Sequence, residues 1–345
     1  MGLVFSVYSK FFFPLSTFGF SNTSKSMIFP HGEERAYALP LNNPPVIKGS
    51  LATHMDPNDL IVGISFNGII RAYPRWVLVS YHIVNDTING APLLVTHCEI
   101  CSAASAFNPT RANLMSRSLS FIPCSYRKGT FSICDLQSNS LWHPFSGQAL
   151  EGPLKGSILD RIPVKIVKWK NWLSAHPDTD VVVSSIEQKF RPHGHSDGNI
   201  FDIGNPYMPW MIARTANLKD HRLSRGTLVF GVTSGPDKLP FAVKLDGLAE
   251  NSIRSFIYEK KNYFLFRGFD FSYLVFSINN SQGRKIFISS KTPLTFASEN
   301  GGKWDSSGKF LDDSKIKINL ELQDGYMTEW FEWVSNYPKT TICDY

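Results

Sequence analysis

Short apolar runs alternate with turn residues along most of the chain. The runs are rich in β-branched and aromatic residues and are bounded by Gly, Pro, Asn or Asp, which is typical of β-strands. They are LIVGISF, APLLVTH, TFSICDL, TDVVVSS, TLVFGVT, NYFLFRGF, YLVFSIN and KIFISSK. Helical patterns are few and lie mainly around two W-x-x-W segments. The pattern therefore predicts a fold dominated by strands.

Two stretches of this pattern resemble each other. Residues 58–78, NDLIVGISFNGIIRAYPRWVL, and residues 226–248, GTLVFGVTSGPDKLPFAVKLDGL, each contain an apolar run with a glycine, Gly63 or Gly231. A turn rich in Asn, Gly, Pro or Asp follows, and then a second apolar run. This order is typical of a β-hairpin.

The ends of the two stretches match more closely. The matching residues are Trp142, Trp169, Trp172 and Pro177 in the first and Trp304, Trp330, Trp333 and Pro338 in the second. A spacing of three residues places both tryptophans of W-x-x-W on one face of a short helix. The proline that follows disfavours helix and predicts an extended exit. The repeated features are predicted to be structural.

The repeat suggests a division of the chain. We predict a β-rich α+β fold with two tandem homologous domains related by pseudo-twofold symmetry. An aromatic N-terminal extension covers residues 1–43, and the first repeat covers residues 44–188. Residues 189–207, rich in Gly, Pro, Asp and Asn, form a linker or long loop, and residues 208–345 form a second, degenerate repeat.

Composition narrows the classes of protein. The chain has 345 residues, 43% of them hydrophobic and 19% charged, so it should bury large cores. The net charge of +6 is not concentrated in runs, which argues against a nucleic-acid partner. No segment approaches the apolar length of a transmembrane span.

The N-terminus is apolar but makes a poor signal peptide, because Lys10 is its one early positive charge and a proline interrupts the apolar stretch. Gly2 and Ser6 fit a myristoylation pattern, but docking of the aromatic residues onto the fold is the preferred interpretation. A cytoplasmic location is therefore slightly favoured.

The main chemical signal is a C-x-x-C pair, Cys98 and Cys101, with His82 sixteen residues before the first cysteine. None of the three has a counterpart in the second repeat. Features confined to one copy are candidates for function, since features of the fold should recur. Cys124 and Cys134 lie on strand-like segments and are expected in the core. Five cysteines make a disulfide scaffold unlikely.

Three interpretations of the pair stay open. Two thiolates and the His82 imidazole suit a metal ion, with copper or zinc favoured and iron a further option. Three ligands leave a fourth position for a substrate. The same cysteines could instead form a redox dithiol, although the β-hairpin surroundings weaken that reading. They could also pack as small apolar side chains.

Other polar residues are assigned around this site. Asp86, with Asn85 beside it, is a candidate acceptor that orients the imidazole, or a turn residue. Arg71 is a candidate for the lining of the site or, slightly preferred, an outward-facing strand residue. His97 could line the site but faces the side of the strand opposite to Cys98. His193 and His195 are expected in a solvated loop.

Four motifs, taken in their order along the chain, resemble those of the domain of unknown function 3179 family. They are DLIVGISFNGIIRAYP, HIVNDTINGAPLLVTHCEICSAASAF, SNSLWHPFSGQALEGPLKG and WKNWLSAHPDT, within about residues 45–280. The resemblance implies bacterial or archaeal relatives, many of them exported, and no established reaction. The usual C-P-L-C turn is CEIC here, and His97 replaces a common tyrosine. His82, Asn85 and Asp86 keep the His-x-x-Asn-Asp pattern.

The sequence therefore predicts a metal-binding protein with a Cys–Cys–His site in the first repeat. If the protein is an enzyme, a metal-dependent oxidoreductase is the leading class. A thiol-disulfide redox protein and a non-catalytic ligand-binding module are the alternatives. A small-molecule substrate or ligand is the expected partner.

Overall fold

A computed structural model of the chain describes residues 19–20, 26–28, 39–110, 118–184, 216–233, 239–278, 288–289, 295–298, 303–305 and 320–344. Only the backbone is described in the short strands near residues 19–28 and 288–305 and at residue 278. The predicted linker, residues 189–207, and most of the N-terminal extension lie outside the described residues, as do His193 and His195.

Strands make up most of the described structure. In the first half they are β1 (Gly19–Phe20), β2 (Ser26–Ile28), β3 (Leu41–Asn42), β4 (Val46–Lys48), β5 (Leu60–Phe66), β6 (Ile69–Pro74), β7 (Ile83–Ile88), β8 (Ala91–Cys98), β9 (Ala103–Asn108), β10 (Phe121–Arg127), β11 (Thr130–Asp135), β12 (Leu141–Trp142), β13 (Ala149–Glu151), β14 (Asp160–Ile162), β15 (Val164–Lys168) and β16 (Asp180–Val182). In the second half they are β17 (Leu228–Val232), β18 (Phe241–Lys244), β19 (Ser252–Tyr258), β20 (Lys261–Arg267), β21 (Tyr273–Ile278), β22 (Ile288–Ser289), β23 (Thr295–Ser298), β24 (Lys303–Asp305), β25 (Leu320–Leu322), β26 (Gly325–Glu329) and β27 (Thr341–Cys343).

Helices are few and short. Within the described ranges the α-helices are α1 (Arg75–Tyr81), α2 (Trp169–Ala175) and α3 (Trp330–Asn336), and Gly49–Leu51 forms a 3-10 turn. None of the helices in this part of the chain is long and apolar enough to cross a membrane.

The strands form several small sheets rather than one large one. Their orders are β1-β2-β10-β11-β12-β13, β14-β9-β8-β7-β3, β15-β5-β6-β16-β4, β26-β17-β18-β27, β19-β20-β21-β25 and β22-β23-β24. The arrangement resembles a five-bladed β-propeller. Small sheets grouped radially leave only short strand edges exposed, which limits association through those edges.

The prediction of an α+β fold with two tandem domains is wrong. The described helices are seven residues each, too short to form a layer of their own. The apolar cores also cross the predicted boundary. One core cluster packs Val84 with Val243 and Met327, and another packs Cys98 with Trp333. Residues from both halves of the chain therefore share the same cores.

A local correspondence between two sheets nevertheless explains the repeated sequence. The runs β15-β5-β6-β16 and β26-β17-β18-β27 have the same order, with two antiparallel pairings followed by a parallel one. Helix α2 connects β15 to β16, and α3 connects β26 to β27. The predicted hairpins and the two W-x-x-W helices are thus confirmed.

A glycine is paired with a tryptophan in both sheets, and the pairing has a steric cause. A methyl group on Gly63 would overlap the indole of Trp172, and one on Gly231 would overlap that of Trp333. The six-membered ring of each indole fills the space that a side chain at the glycine would occupy. The indole nitrogens donate to Thr179 at 2.9 Å in the first sheet and to the equivalent threonine at 3.0 Å in the second. These residues are structural, as predicted.

Candidate functional site

The two cysteines of the C-x-x-C pair lie at a hairpin turn. Cys98 is the last residue of β8, and Cys101 lies in the turn that leads into β9. Their side chains are 1% and 0% exposed and belong to one apolar cluster. Both are free thiols. The turn therefore presents its two sulfur atoms to the interior of the protein rather than to solvent.

The thiols lie three residues apart on the turn, and one of them meets a hydroxyl. The sulfur of Cys101 lies 3.8 Å from Oγ1 of Thr130 at the start of β11. Burial raises the pKa of Cys101 well above its ordinary value, and Cys98 and the charge of Glu332 raise it further. Cys101 is therefore a neutral thiol at neutral pH when nothing is bound to it.

His82 lies beside this turn but at the surface. It ends α1 with a φ of 58°, and its Nδ1 is 3.3 Å from the carbonyl oxygen of His97 and 3.4 Å from Oε2 of Glu99. The imidazole packs against Phe131, with ring centroids 5.6 Å apart. The side chains of His82 and Glu99 are 17% and 21% exposed. They are the solvent-facing part of the site.

A buried cation lies on the other side of the turn. The Arg75 guanidinium donates from Nε to Nε2 of His97 at 3.3 Å. Burial lowers the pKa of Arg75, while the negative charges of Glu99 and Cys98 raise it. Arg75 is thus within electrostatic reach of both the surface carboxylate and the buried sulfur.

His97 is buried and neutral. Burial lowers its pKa well below the ordinary value, with Arg75 and His82 acting in the same direction. Its Nε2 accepts the bond from Arg75, so the proton is on Nδ1, which is buried without a hydrogen-bond partner. His97 contacts the cation rather than the thiols, in keeping with its predicted strand face.

The far end of the chain clamps the turn. The backbone N–H of Glu329 and the hydroxyl of Thr328 both donate to the carbonyl oxygen of Cys101 at 3.1 Å. The hydroxyl of Ser102 donates to Oε1 of Glu329 at 3.4 Å. Strand β26 therefore fixes the C-x-x-C turn from more than two hundred residues away in sequence.

Glu329 is unusual among these contacts. It is 1% exposed, and its Oε2 has no hydrogen-bond partner. Burial raises its pKa from 4.5 to about 8, although Ser102 and the charge of Arg225 act against the shift. An orphaned buried oxygen is rare and costs free energy. This carboxyl group is therefore protonated in the folded protein at neutral pH.

A second buried acid, Glu332, is fully satisfied. It accepts from Nε2 of His143 at 3.1 Å, from the hydroxyl of Tyr326 and from the amide of Asn336 at 3.0 Å. Nδ1 of His143 accepts two backbone N–H groups, so the proton on this ring is on Nε2. The field of Glu332 reaches Cys101 and disfavours a thiolate there.

The polar residues predicted around His82 have other partners. Asp86 accepts from Nη1 of Arg71 at 2.7 Å and from the hydroxyl of Tyr73 at 2.6 Å. It lies in β7, not in a turn. Arg71 is 8% exposed and also faces Asp180 at 3.6 Å. The prediction that Arg71 faces outward is wrong, because this ion pair holds it inside.

Asn85 likewise serves the fold. Its amide exchanges two 2.9 Å hydrogen bonds with the backbone of Phe121, and it also donates to Asn42 at 2.8 Å. These bonds hold β7 against β10. The residues placed beside the imidazole by the sequence thus orient strands and not His82.

The expectation that Cys124 and Cys134 are core thiols is also wrong. They form a disulfide across the β10–β11 hairpin, where the register shifts between Pro123 and Ser125. Both are half-buried. The bridge fixes the hairpin that brings Thr130 to Cys101.

The structure brings fewer candidate metal ligands together than the sequence predicted. Among the described residues, no group of three or more His, Cys, Asp or Glu side chains is arranged to hold a metal ion. The Cys–Cys–His set of Cys98, Cys101 and His82 stays a prediction. Glu329, Glu332 and Thr130 were not found from the sequence. The sequence did contain one signal for the two acids. Glu329 and Glu332 occupy the positions in the second sheet that Lys168 and Asn171 occupy in the first.

Comparison with known proteins shows the family of the chain. No curated protein and no solved structure matches the chain. The family resemblance indicated by the four motifs is confirmed, over a region longer than the one those motifs cover. The chain belongs to the family described as Protein of unknown function (DUF3179), whose sequence profile matches residues 40–340.

Proposed function

We propose that this protein binds one soft metal ion, Cu(I), through the sulfur atoms of Cys98 and Cys101. The observation that supports the proposal is two free, buried thiols three residues apart on a single turn. Thiolates are soft ligands and select Cu(I) among the ions available to proteins. Binding must release the thiol protons, because the thiolate is the ligand.

Copper fits this arrangement better than zinc does. Structural zinc takes four ligands and catalytic zinc at least three from the protein, whereas Cu(I) is stable with two thiolates. A Cu(I) ion with two thiolates carries one negative charge, and a buried charge needs a partner. Arg75 lies within electrostatic reach of Cys98 and can supply it.

The first test is an anaerobic titration with Cu(I) against a chromophoric competing chelator. We expect one equivalent to bind to the wild type, and Cys98→Ser and Cys101→Ser to weaken binding by about a hundredfold or more. Cys343→Ser is the matched control, because Cys343 is also a buried free thiol but lies in β27. It should leave the affinity unchanged.

Two results would reject the proposal. One is a wild type that takes up no copper. The other is an affinity that Cys98→Ser and Cys343→Ser alter equally. The same titration with zinc decides the identity of the ion, since zinc bound more tightly than Cu(I) relative to thiol standards would contradict the assignment to copper.

A thiol-disulfide couple is the second candidate, favoured by two free thiols in a C-x-x-C spacing on one turn. In it, Cys98 and Cys101 would form an S–S bond and give up two protons and two electrons. A small soluble disulfide would accept them and become two thiols. Equilibration with oxidised glutathione should then remove two hydrogens from the wild type and from Cys343→Ser. A mass unchanged at all ratios of oxidised to reduced glutathione would exclude this candidate.

A further inference from the structure

The buried thiols raise the question of how an ion would reach them. Cys98 and Cys101 are at most 1% exposed, yet the side chains of His82 and Glu99 beside them are 17% and 21% exposed. Glu99 lies between the two cysteines in sequence, within the turn itself. The partly exposed side chains thus stand between solvent and the sulfur atoms.

His82 and Glu99 form a pair of donor groups. Nδ1 of His82 and Oε2 of Glu99 are 3.4 Å apart, and that oxygen is buried without a hydrogen-bond partner. A carboxylate oxygen with only this contact attracts a cation. The imidazole rests on Phe131, which belongs to the same apolar cluster as both cysteines. Phe131 therefore links the pair to the cluster that contains the thiols.

The backbone at His82 allows an informative substitution. His82 has a φ of 58°. Asparagine is the commonest non-glycine residue with positive φ in the described part of the chain, as at Asn43 and Asn67. Ser102, Lys128, Glu259, Lys260 and Asp270 also have positive φ, so the conformation by itself assigns His82 no role. Asparagine can therefore replace His82 and keep the backbone in place.

The types of donor group point in the same direction. Arg75 interacts electrostatically with both Glu99 and Cys98, so the carboxylate and the sulfur lie around one buried cation. This cation repels a free metal ion, which therefore needs donor groups along its path. Imidazole is a softer ligand than carboxylate and a harder one than thiolate, which gives a graded series of ligands from the surface inward.

We propose that His82 and Glu99 form the access route of the site and pass the metal ion from solvent to Cys98 and Cys101. This rests on the proposed binding of Cu(I) by the cysteines. The two surface residues hold the ion only in transit. They therefore set the rate of loading, and the thiolates set the final affinity.

The test is a stopped-flow measurement of copper uptake from a weak Cu(I)–acetonitrile complex, followed by the ultraviolet absorbance of the copper–thiolate bond. The variants are His82→Asn and Glu99→Gln. Both should slow loading by about tenfold, since a carboxylate and a donor at the mouth raise on-rates by that order. The dissociation constant should stay within about threefold of the wild type.

Matched controls separate this role from a structural one. His221→Asn and Glu259→Gln change an exposed histidine and an exposed glutamate elsewhere and should load at the wild-type rate. Asparagine tolerates the left-handed backbone, so His82→Asn should melt at or above the wild-type temperature. A lower melting temperature would indicate a structural role and contradict the proposal.

The remaining outcomes are equally decisive. Unchanged loading rates in both His82→Asn and Glu99→Gln would overturn the proposal. So would a tenfold or larger loss of affinity in His82→Asn, which would make the imidazole a resident ligand. A wild type that binds no copper would instead reject the proposed function, and the two failures are therefore distinguishable.

Discussion

Two hairpin turns from other sheets pack at equivalent places against the two similar sheets and differ in how the nearby acids are satisfied. The β20–β21 turn contacts β15 and α2, and the β8–β9 turn contacts β26 and lies within electrostatic reach of Glu332 in α3. Asp270 in the first turn and Ser102 in the second have φ values of 55° and 56°. The same backbone geometry therefore carries two different sets of side chains.

In the β20–β21 turn the buried carboxylate meets its hydrogen-bond donors. Oδ2 of Asp270 accepts the backbone N–H of Lys168 and the amide of Asn171, both at 2.8 Å. Asp270 is 6% exposed, and such a buried carboxylate is stable only with bonds of this kind. This turn is a clamp between two sheets.

The β8–β9 turn is also held by hydrogen bonds to a neighbouring sheet, but the groups around it include several that these bonds do not require. Cys101 accepts from Glu329 and Thr328 through its carbonyl oxygen, which is sufficient to hold the turn. The thiols, the orphaned oxygen of Glu329 and His82 with its positive φ are additional. Groups that cost stability without fixing the fold are the best markers of function.

The largest effect should come from the feature that both sheets share. Gly231→Ala places a methyl group inside the indole of Trp333, and Gly63→Ala does the same with Trp172. Overpacking of this kind should lower the free energy of unfolding by about 3 kcal/mol in each variant. Urea denaturation checks this. Gly268→Ala, where the nearest heavy atom would lie 3.3 Å from the methyl group and φ is not left-handed, controls for the loss of glycine. An equal loss in all three variants would refute the steric explanation.

A smaller effect should distinguish the two turns. Asp270→Ala leaves the Lys168 N–H and the Asn171 amide without their acceptor, which should cost about 2 kcal/mol of unfolding free energy. The equivalent change, Ser102→Ala, removes one long bond of 3.4 Å and should cost about 0.5 kcal/mol. Equal losses in urea denaturation would show that the β8–β9 turn depends on its side chain as much as the β20–β21 turn does.

Local features of this fold could be predicted from the sequence because they depend on neighbours in the chain. The hairpin of β5 and β6 follows from two apolar runs around Asn67 and Gly68, which take the positive φ that the turn requires. The helices α2 and α3 follow from the spacing of their tryptophans.

The remainder depends on contacts between distant segments, which periodicity does not report. Cys98 and Trp333 belong to one core cluster although they lie far apart in the chain. Such clusters replace two separate domains with one arrangement of blades. The contact of Ser102 with Glu329 arises only from that packing. The disulfide of Cys124 with Cys134 likewise requires the register of β10 on β11, which a count of cysteines does not give.

A third effect, of similar size, concerns the orphaned acid and its pH dependence. The folded-state pKa of Glu329 is about 8 and its ordinary value is 4.5, so the folded protein holds this proton more tightly than the unfolded chain. Stability is therefore highest below the lower value and falls as the pH rises towards the upper one. We expect the metal-free wild type to lose about 2 kcal/mol between about pH 5 and pH 7 from this group.

Glu329→Gln tests this assignment, because glutamine keeps the shape of the protonated acid and cannot ionise. The variant should lose that part of the decline and, above about pH 7, exceed the wild type in unfolding free energy. Glu332→Gln is the matched control, since Glu332 already accepts bonds from His143, Tyr326 and Asn336 and its neutralisation should destabilise the protein. A pH profile of Glu329→Gln parallel to that of the wild type would mean that Glu329 is ionised in the folded protein. The difference between the two turns would then lie in the thiols and His82 alone.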